Sequence, residues 1–419
     1  MVQLMESDCR SKREIWRDRS RLALDGILPP FSLPRRALGY ARKLLQNQDS
    51  QRPSNGWSDW VNKAARPRIL IISGCGGDSR RYRCDHLVET VRLIGGDGIV
   101  LSSGEVWPAS AEILVKHVDA LVFHRVAWTQ DIETLLEQAQ KQDVKLLFDT
   151  DDLVFDTASD PSQDPGVGRF GKGQAVAEQF RTMQQCHHVI TSTDYLKSRV
   201  EALGLQATTL RNGFSKSMLQ WADAAASRRR DERVVLGYAS GTPTHDKDFE
   251  LLEPSLSWLL SNYPHVDLCL MGYIQKPRSL AAFGARVQRR PFVSCQELPQ
   301  RLKDVDINLA PFSPDSEFSK GKSALKYMEA ALVGVPTIAS PMPAYVHAIE
   351  SGRNGWIAHN ETQWREHLKA AVEQKELRQK IGACARQTAL QEDSLVSRSK
   401  VLQVILNIDA SKPSNPPEA

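Results

Sequence analysis

The sequence predicts an α/β chain built on two doubly wound parallel sheets. Short apolar runs alternate with amphipathic stretches twice over, from residue 68 to 210 and again from 234 to 340. Strand and helix in alternation give a parallel sheet with helices on both faces. Each series opens with a strand that runs into a glycine-bearing loop, Gly74-Cys75-Gly76-Gly77 in the first and Gly241 in the second. At 419 residues the chain is long enough for two ordinary domains and a tail. Its 41% apolar and 25% charged residues are those of a globular protein.

In order, residues 1–66 contain Pro29-Pro30, Pro34 and the breaker Pro53-Ser54-Asn55-Gly56, with short helices expected near 10–24 and 35–47. The run Arg68 to Ser73 is the first buried strand, followed by a helix expected from about Cys84 to Leu93. Further strands are expected at 99–101, 119–123, 144–148, 188–192 and 207–210, with helices at 129–141 and 174–185. Asn212-Gly213 marks a break, and a polar helix with Arg228-Arg229-Arg230 follows. The second series has strands at 234–238, 267–271, 287–290, 307–310 and 337–340. A last helix is expected over 395–408, and the end, SKPSNPPEA, reads as a disordered tail.

Several classes are excluded. No run approaches 18 apolar residues, so no spanning helix is expected. The first residues lack an apolar core of the secretory kind. Seven cysteines without a C-x-x-C pair argue against a disulfide framework or a zinc site, and for a reducing, cytoplasmic setting. Net charge is +4, but residues 1–66 hold 13 Lys+Arg against 7 Asp+Glu, leaving the remainder at −2. That basic segment suits either an anionic membrane surface or a partner-binding arm. It has no module that would suggest nucleic acid.

The stretch KGKSALKYMEAALVGVPTIASPMPAY, residues 320–345, carries the most chemistry. On a helical wheel Lys322, Lys326 and Glu329 fall within about 60° of one another, beside an apolar stripe of Leu325, Met328 and Leu332. Lysines at a helix N-terminus suit phosphate, and a carboxylate further in can accept from ribose or sugar hydroxyls. The same residues also fit a solvated face with a Lys326–Glu329 ion pair. Gly76 and Gly77 form a loop whose backbone can approach an anion. Gly241 and Thr242 offer the same in the second series, with Lys247 adding charge, although Asp246 or Asp248 as a helix cap is an alternative. Asp149, Asp151 and Asp152 end a strand, where α/β sheets bind ligands. They read as metal ligands, as cleft-lining carboxylates or as helix caps. His124-Arg125 also ends a strand, where the histidine is either structural or a partner of a sugar hydroxyl.

The string Glu329-Ala-Ala-Leu-Val-Gly-Val-Pro-Thr-Ile-Ala-Ser resembles the C-terminal signature of group 1 (family 4-like) glycosyltransferases of the GT-B fold, and residues 349–358 resemble the next block. The resemblance is good over residues 232–390 and fainter over 67–212. It implies two Rossmann-like domains facing a cleft. Residues 1–66 would be a basic extension, 67–212 an acceptor domain, 232–390 a nucleotide-sugar domain, and 391–419 a tail whose helix crosses back. It implies glycosyl transfer from a nucleotide-diphosphate sugar to a hydroxyl, with retention and without a metal or other cofactor. The acceptor would be a glycan, a lipid-linked sugar or a small molecule, as in polysaccharide biosynthesis. On the donor side it implies Arg83, Lys247, Lys322, Ser323, Lys326 and Glu329. On the acceptor side it implies His124, Arg125, Asp151 and Asp152, with His124, Lys247, Lys322 and Glu329 acting in catalysis. The family's first glutamate would fall at position 321, which is glycine here, and Lys322-Ser323 matches a variant of that site. A binding protein that has kept the fold and lost donor chemistry, and a basic adaptor acting through residues 1–66, are the readings from other classes.

Overall fold

The structure is a computed structural model, which describes residues 60–106, 110–155, 174–227, 232–241, 246–313 and 317–407. The helices expected near 10–24 and 35–47, Arg228-Arg229-Arg230, Thr242 and the tail from 408 lie outside the described residues. Residues 60–63 are helical and belong to a separate compact unit, and everything below concerns Ala64 onward.

The first sheet contains β1 (Arg68–Ser73), β2 (Asp97–Ser102), β3 (Ala120–His124), β4 (Lys145–Thr150), β5 (His188–Thr191) and β6 (Ala207–Thr209), in spatial order β2-β1-β3-β4-β5-β6. The second contains β7 (Val234–Ser240), β8 (Val266–Gly272), β9 (Val287–Arg290), β10 (Ile307–Ala310), β11 (Thr337–Ala339) and β12 (Trp356–Ile357), in order β12-β11-β10-β7-β8-β9. Every pairing between these strands is parallel. The second order is that of a dinucleotide-binding sheet, reversing between β7 and β10. In the first sheet the order reverses between β1 and β3. Crevices at such reversals, at the carboxyl ends of the strands, are where doubly wound sheets take ligands. The two glycine loops leave β1 and β7 at these two points.

Burial follows from the strand sequences. Ile69, Leu70, Ile71 and Ile72 are fully buried, as the continuous apolar run requires of a strand covered on both faces. The helix Leu395–Leu406 places Leu402 and Ile405 in the core of the first sheet, with Leu87 and Val91, so this helix does cross back to that sheet. Phe214 N–H donates to the Asp393 carbonyl at 3.2 Å as that helix approaches.

Three details differ from the sequence reading. The helix after the first glycine loop begins at Gly77, not near Cys84, and passes through a widened π turn over Arg81–Asp85. That turn buries Tyr82, Arg83 and Cys84 consecutively, and such turns often sit at functional sites. The helix of the 320s starts at Leu325, so Lys322 lies in the turn before it, not on its face. Strand β12 is two residues long, too short to show a periodicity.

Candidate active site

Register assembles the first half of the site. Ser73 pairs with His124 across β1 and β3, and His124 pairs with Asp149 across β3 and β4. The loop after β1 therefore lies beside two strand ends that carry titratable groups. Gly74 is needed for this, because a Cβ there would stand 2.1 Å from the Arg125 carbonyl oxygen. Arg125 itself takes a left-handed backbone, φ 51°, uncommon for a non-glycine residue and typical of functional sites. The kink sends its guanidinium to Asp151 (3.3 Å) and Asp152 (3.1 Å).

His124 is fully buried. Its Nδ1 lies 2.9 Å from Asp149 Oδ1, and its Nε2 lies 3.0 Å from Ser79 Oγ and 3.3 Å from Cys75 Sγ. Burial opposes the imidazolium, but hydrogen bonds to Asp149 and Cys75 outweigh it and push the ring up to about 9. Asp151 accepts from Ser79 Oγ at 2.6 Å; against the cost of burial, Arg125 and His124 hold it well below the usual carboxylate range.

Arg83 was the expected anion contact of the first loop, but the structure places it elsewhere. Its side chain is fully buried and bidentate to Asp149, with Nε at 2.9 Å and Nη2 at 2.7 Å. Nη1 donates to the Leu210 carbonyl and to Asn212. No face of it reaches solvent, because the π turn rotates it into the core, and it acts as the brace of Asp149. Gly76 and Gly77 are exposed, and a Cβ at either would meet nothing.

The second half comes from β7, β10 and the helix Leu325–Leu332. Lys322 Nζ donates to Asp152 Oδ1 at 2.6 Å, joining the two halves, and lies 4.2 Å from the Phe318 ring centre. Glu329 accepts from Tyr82 O–H at 2.6 Å, a second link between them. Burial raises the Glu329 carboxyl above its ordinary value, against the pull of Tyr82, Arg81 and Lys326. Lys326 projects its ammonium over the rings of Tyr238 (4.7 Å) and Phe312 (5.0 Å), and among the described residues Nζ has no hydrogen-bond acceptor. Burial lowers it to about 8, although the fields of Asp248 and Glu329 oppose this. Ser323 Oγ accepts from Asn212 Nδ2 at 2.9 Å.

Lys247 is exposed on the short helix Asp246–Glu250, and its neighbour Asp248 accepts from Ser313 N–H at 2.9 Å, which draws that helix to the loop after β10. Gly241 is exposed. Gly321, where a glutamate is expected from the family, is buried, and a Cβ there would press on Leu196 Cδ2 at 3.1 Å. A cavity of about 440 Å³ lies on the other flank of the helix Leu325–Leu332, lined by Thr193, Arg211, Met328 and His347; Ser323 alone of the candidate residues borders it.

A family model described as glycosyl transferase-like matches residues 253–403, the part that contains Lys322, Lys326 and Glu329. Over that stretch the chain is similar to glycosyl transferase-like proteins, and its two parallel sheets have the fold of solved GT-B glycosyltransferases. HepE from Anabaena, solved in complex with UDP and glucose, aligns over 82% of this chain and 100% of its own, with a TM-score of 0.56 and 15% identity. A glycosyltransferase from Rickettsia africae aligns over 82% and 99%, with a TM-score of 0.59 and 13% identity. Sucrose-phosphate synthase from Thermosynechococcus elongatus aligns over 82% and 98%, at 0.56 and 11%. At these identities the likeness is one of fold. No curated protein matches the sequence.

Tyr82, Ser79, Phe312 and Asn212 are site neighbours that the sequence reading did not single out. Tyr82 carried a signal, being an aromatic residue inside the basic run after a glycine loop. The others are recognisable only once the sheets are assembled. No helix among the described residues is long and apolar enough to cross a membrane.

Proposed function

We propose that this protein is a glycosyltransferase that moves a sugar from a nucleoside-diphosphate donor to a hydroxyl acceptor, with retention at the anomeric carbon. The observation that carries this reading is Lys326: a buried ammonium with no acceptor among the described residues, three positions from Glu329 and beside the second sheet's reversal. A diphosphate would supply the missing acceptor, and Glu329 would take the ribose hydroxyls, in line with the family resemblance. Lys322 and the exposed Lys247 would add charge as the glycosidic bond breaks, the moment at which neutralising the leaving group lowers the barrier. The acceptor hydroxyl would approach from the first sheet, where Asp151, Asp152, His124 and Arg125 meet. A glycan or lipid-linked hydroxyl fits the +6 excess of residues 1–66, which suits anionic headgroups.

The mechanism needs no metal. Asp149 is matched by Arg83, Asp152 by Lys322, and Asp151 and Asp152 by Arg125. These carboxylates are therefore already neutralised by protein cations. Calorimetric titration with nucleoside diphosphates tests the donor half, starting from UDP, the nucleotide that HepE binds. Binding that survives in Lys326→Met would refute the assignment. Proton coupling at the anomeric position of the product tests retention.

A further inference from the structure

Cys75 has no part in the transfer proposed above, yet it stands beside His124 and Asp149. Its Sγ lies 3.3 Å from His124 Nε2 and 3.6 Å from Ser79 Oγ, and His124 Nδ1 lies 2.9 Å from Asp149. A nucleophile beside a base that is itself oriented by a carboxylate is the pattern of an activated thiol. The hydrogen-bond network accommodates a doubly protonated His124 ring. Ser79 gives its hydroxyl proton to Asp151 Oδ2 at 2.6 Å, so its oxygen faces His124 Nε2 as an acceptor. A ring that donates from Nε2 to that oxygen and from Nδ1 to Asp149 satisfies both contacts, and such a ring is an imidazolium. Its positive edge lies against the sulfur.

We infer that Cys75 is a reactive thiolate, paired with the His124 imidazolium, and a modification site for soft electrophiles and hydrogen peroxide. Access is provided by the loop: Cys75 is half-buried, and the flanking Gly74, Gly76 and Gly77 are exposed. Other groups around it agree in sign. Burial would raise the thiol, but the hydrogen bond and charge of His124 and the charge of Arg125, both from the end of β3, outweigh it and draw it below its ordinary value. Asp149 and Asp151 face the pair from β4 and are themselves held ionised by Arg83 and Arg125. Cys84, Cys186 and Cys269 are pushed up by burial, so they should react more slowly.

With peroxide, the sulfur attacks one oxygen and the O–O bond breaks. The leaving hydroxide takes the Nε2 proton of His124 and departs as water, leaving Cys75 as a sulfenic acid and His124 neutral. With iodoacetamide, an S–C bond forms and iodide leaves. A group on Sγ would also stand where the acceptor is proposed to enter. That consequence rests on the function proposed above, whereas the labelling itself does not.

The test is the rate of iodoacetamide labelling of the full chain from pH 6 to 8, read at each cysteine by peptide mass spectrometry. Cys75 should label first, with a nearly flat profile, and about tenfold faster at pH 6 than a free thiol, whose thiolate fraction there is small. Peroxide followed by a dione trap should tag the same residue. In His124→Asn the rate at Cys75 should become steeply pH-dependent. If that variant does not fold, the wild-type profile decides alone: a rate rising about tenfold per pH unit, as for an ordinary thiol, overturns the inference. So does an unlabelled or untagged Cys75 in folded protein.

Discussion

Lys326→Met separates stability from function at a single atom. The Lys326 ammonium is buried over two rings, and its ordinary value of 10.5 falls to about 8. That gap corresponds to about 3 kcal/mol against the charged form in the fold. The rings return part of any such cost, about 0.5–2 kcal/mol for a desolvated cation over aromatic faces. Methionine has similar length and comparable helix propensity and needs no acceptor. The variant should therefore be more stable than wild type at pH 7, by about 1–3 kcal/mol. The sign with pH follows from linkage. The folded value is depressed, so between about 8 and 10.5 the unfolded chain holds more protons, and wild-type stability from this group rises with pH across that window. The advantage of methionine should shrink to under about 1 kcal/mol at pH 10. Urea midpoints for both proteins at pH 7 and pH 10 measure this, and calorimetry with a nucleoside diphosphate should show binding lost in the variant. A variant less stable than wild type at pH 7, or a difference indifferent to pH, would show that Lys326 is satisfied in the fold and refute the reasoning.

Glu329→Gln should weaken nucleoside-diphosphate binding by about tenfold or more, the scale of a hydrogen bond to a charged acceptor, in the same titration. Asp149→Ala should cost about 3–5 kcal/mol in urea unfolding, because it strands the fully buried Arg83 cation. Gly74→Ala should lower the melting temperature, since its Cβ would lie 2.1 Å from the Arg125 carbonyl; a melting curve that overlays wild type would mean the loop can yield. Transferase activity should persist in excess EDTA, and its loss with recovery on Mn²⁺ would make Asp149, Asp151 and Asp152 metal ligands instead.

Most of the strands from β1 to β11 were legible as apolar runs, because buried parallel strands are continuous blocks such as Arg68–Ser73; β9, Val-Gln-Arg-Arg, is an exception with three exposed residues. Lys322, Lys326 and Glu329 could be singled out together because they are close in sequence. What sequence could not supply was partnership across the fold. Arg83 looked like an open cation in a basic run, yet a single π turn points it at Asp149, 66 residues away. Cys75 and His124 are 49 residues apart, and only the β1–β3 register makes them neighbours. Lys326 and Lys322 read alike on a wheel. The helix start at Leu325 separates them, leaving one ammonium buried and the other in a turn that reaches Asp152.

That last pair bears on how the two halves work together. Lys322 and Asp152 come from opposite sheets and meet at 2.6 Å, with Asp152 also held by Arg125. An ammonium has three donors, but its single charge is shared among the anions around it. If a diphosphate draws Lys322, Asp152 loses part of its neutralisation and keeps Arg125 alone. Its carboxylate then becomes a better acceptor for a hydroxyl proton at the moment the donor is in place. The opposite order gives no such gain, because without the donor Lys322 stays on Asp152. On the function proposed above, donor should therefore bind before acceptor, and product-inhibition kinetics with a random-order pattern would refute this. The cost of loosening the Lys322–Asp152 link is limited by the second link, Tyr82 to Glu329, which joins the halves without a net charge on the tyrosine.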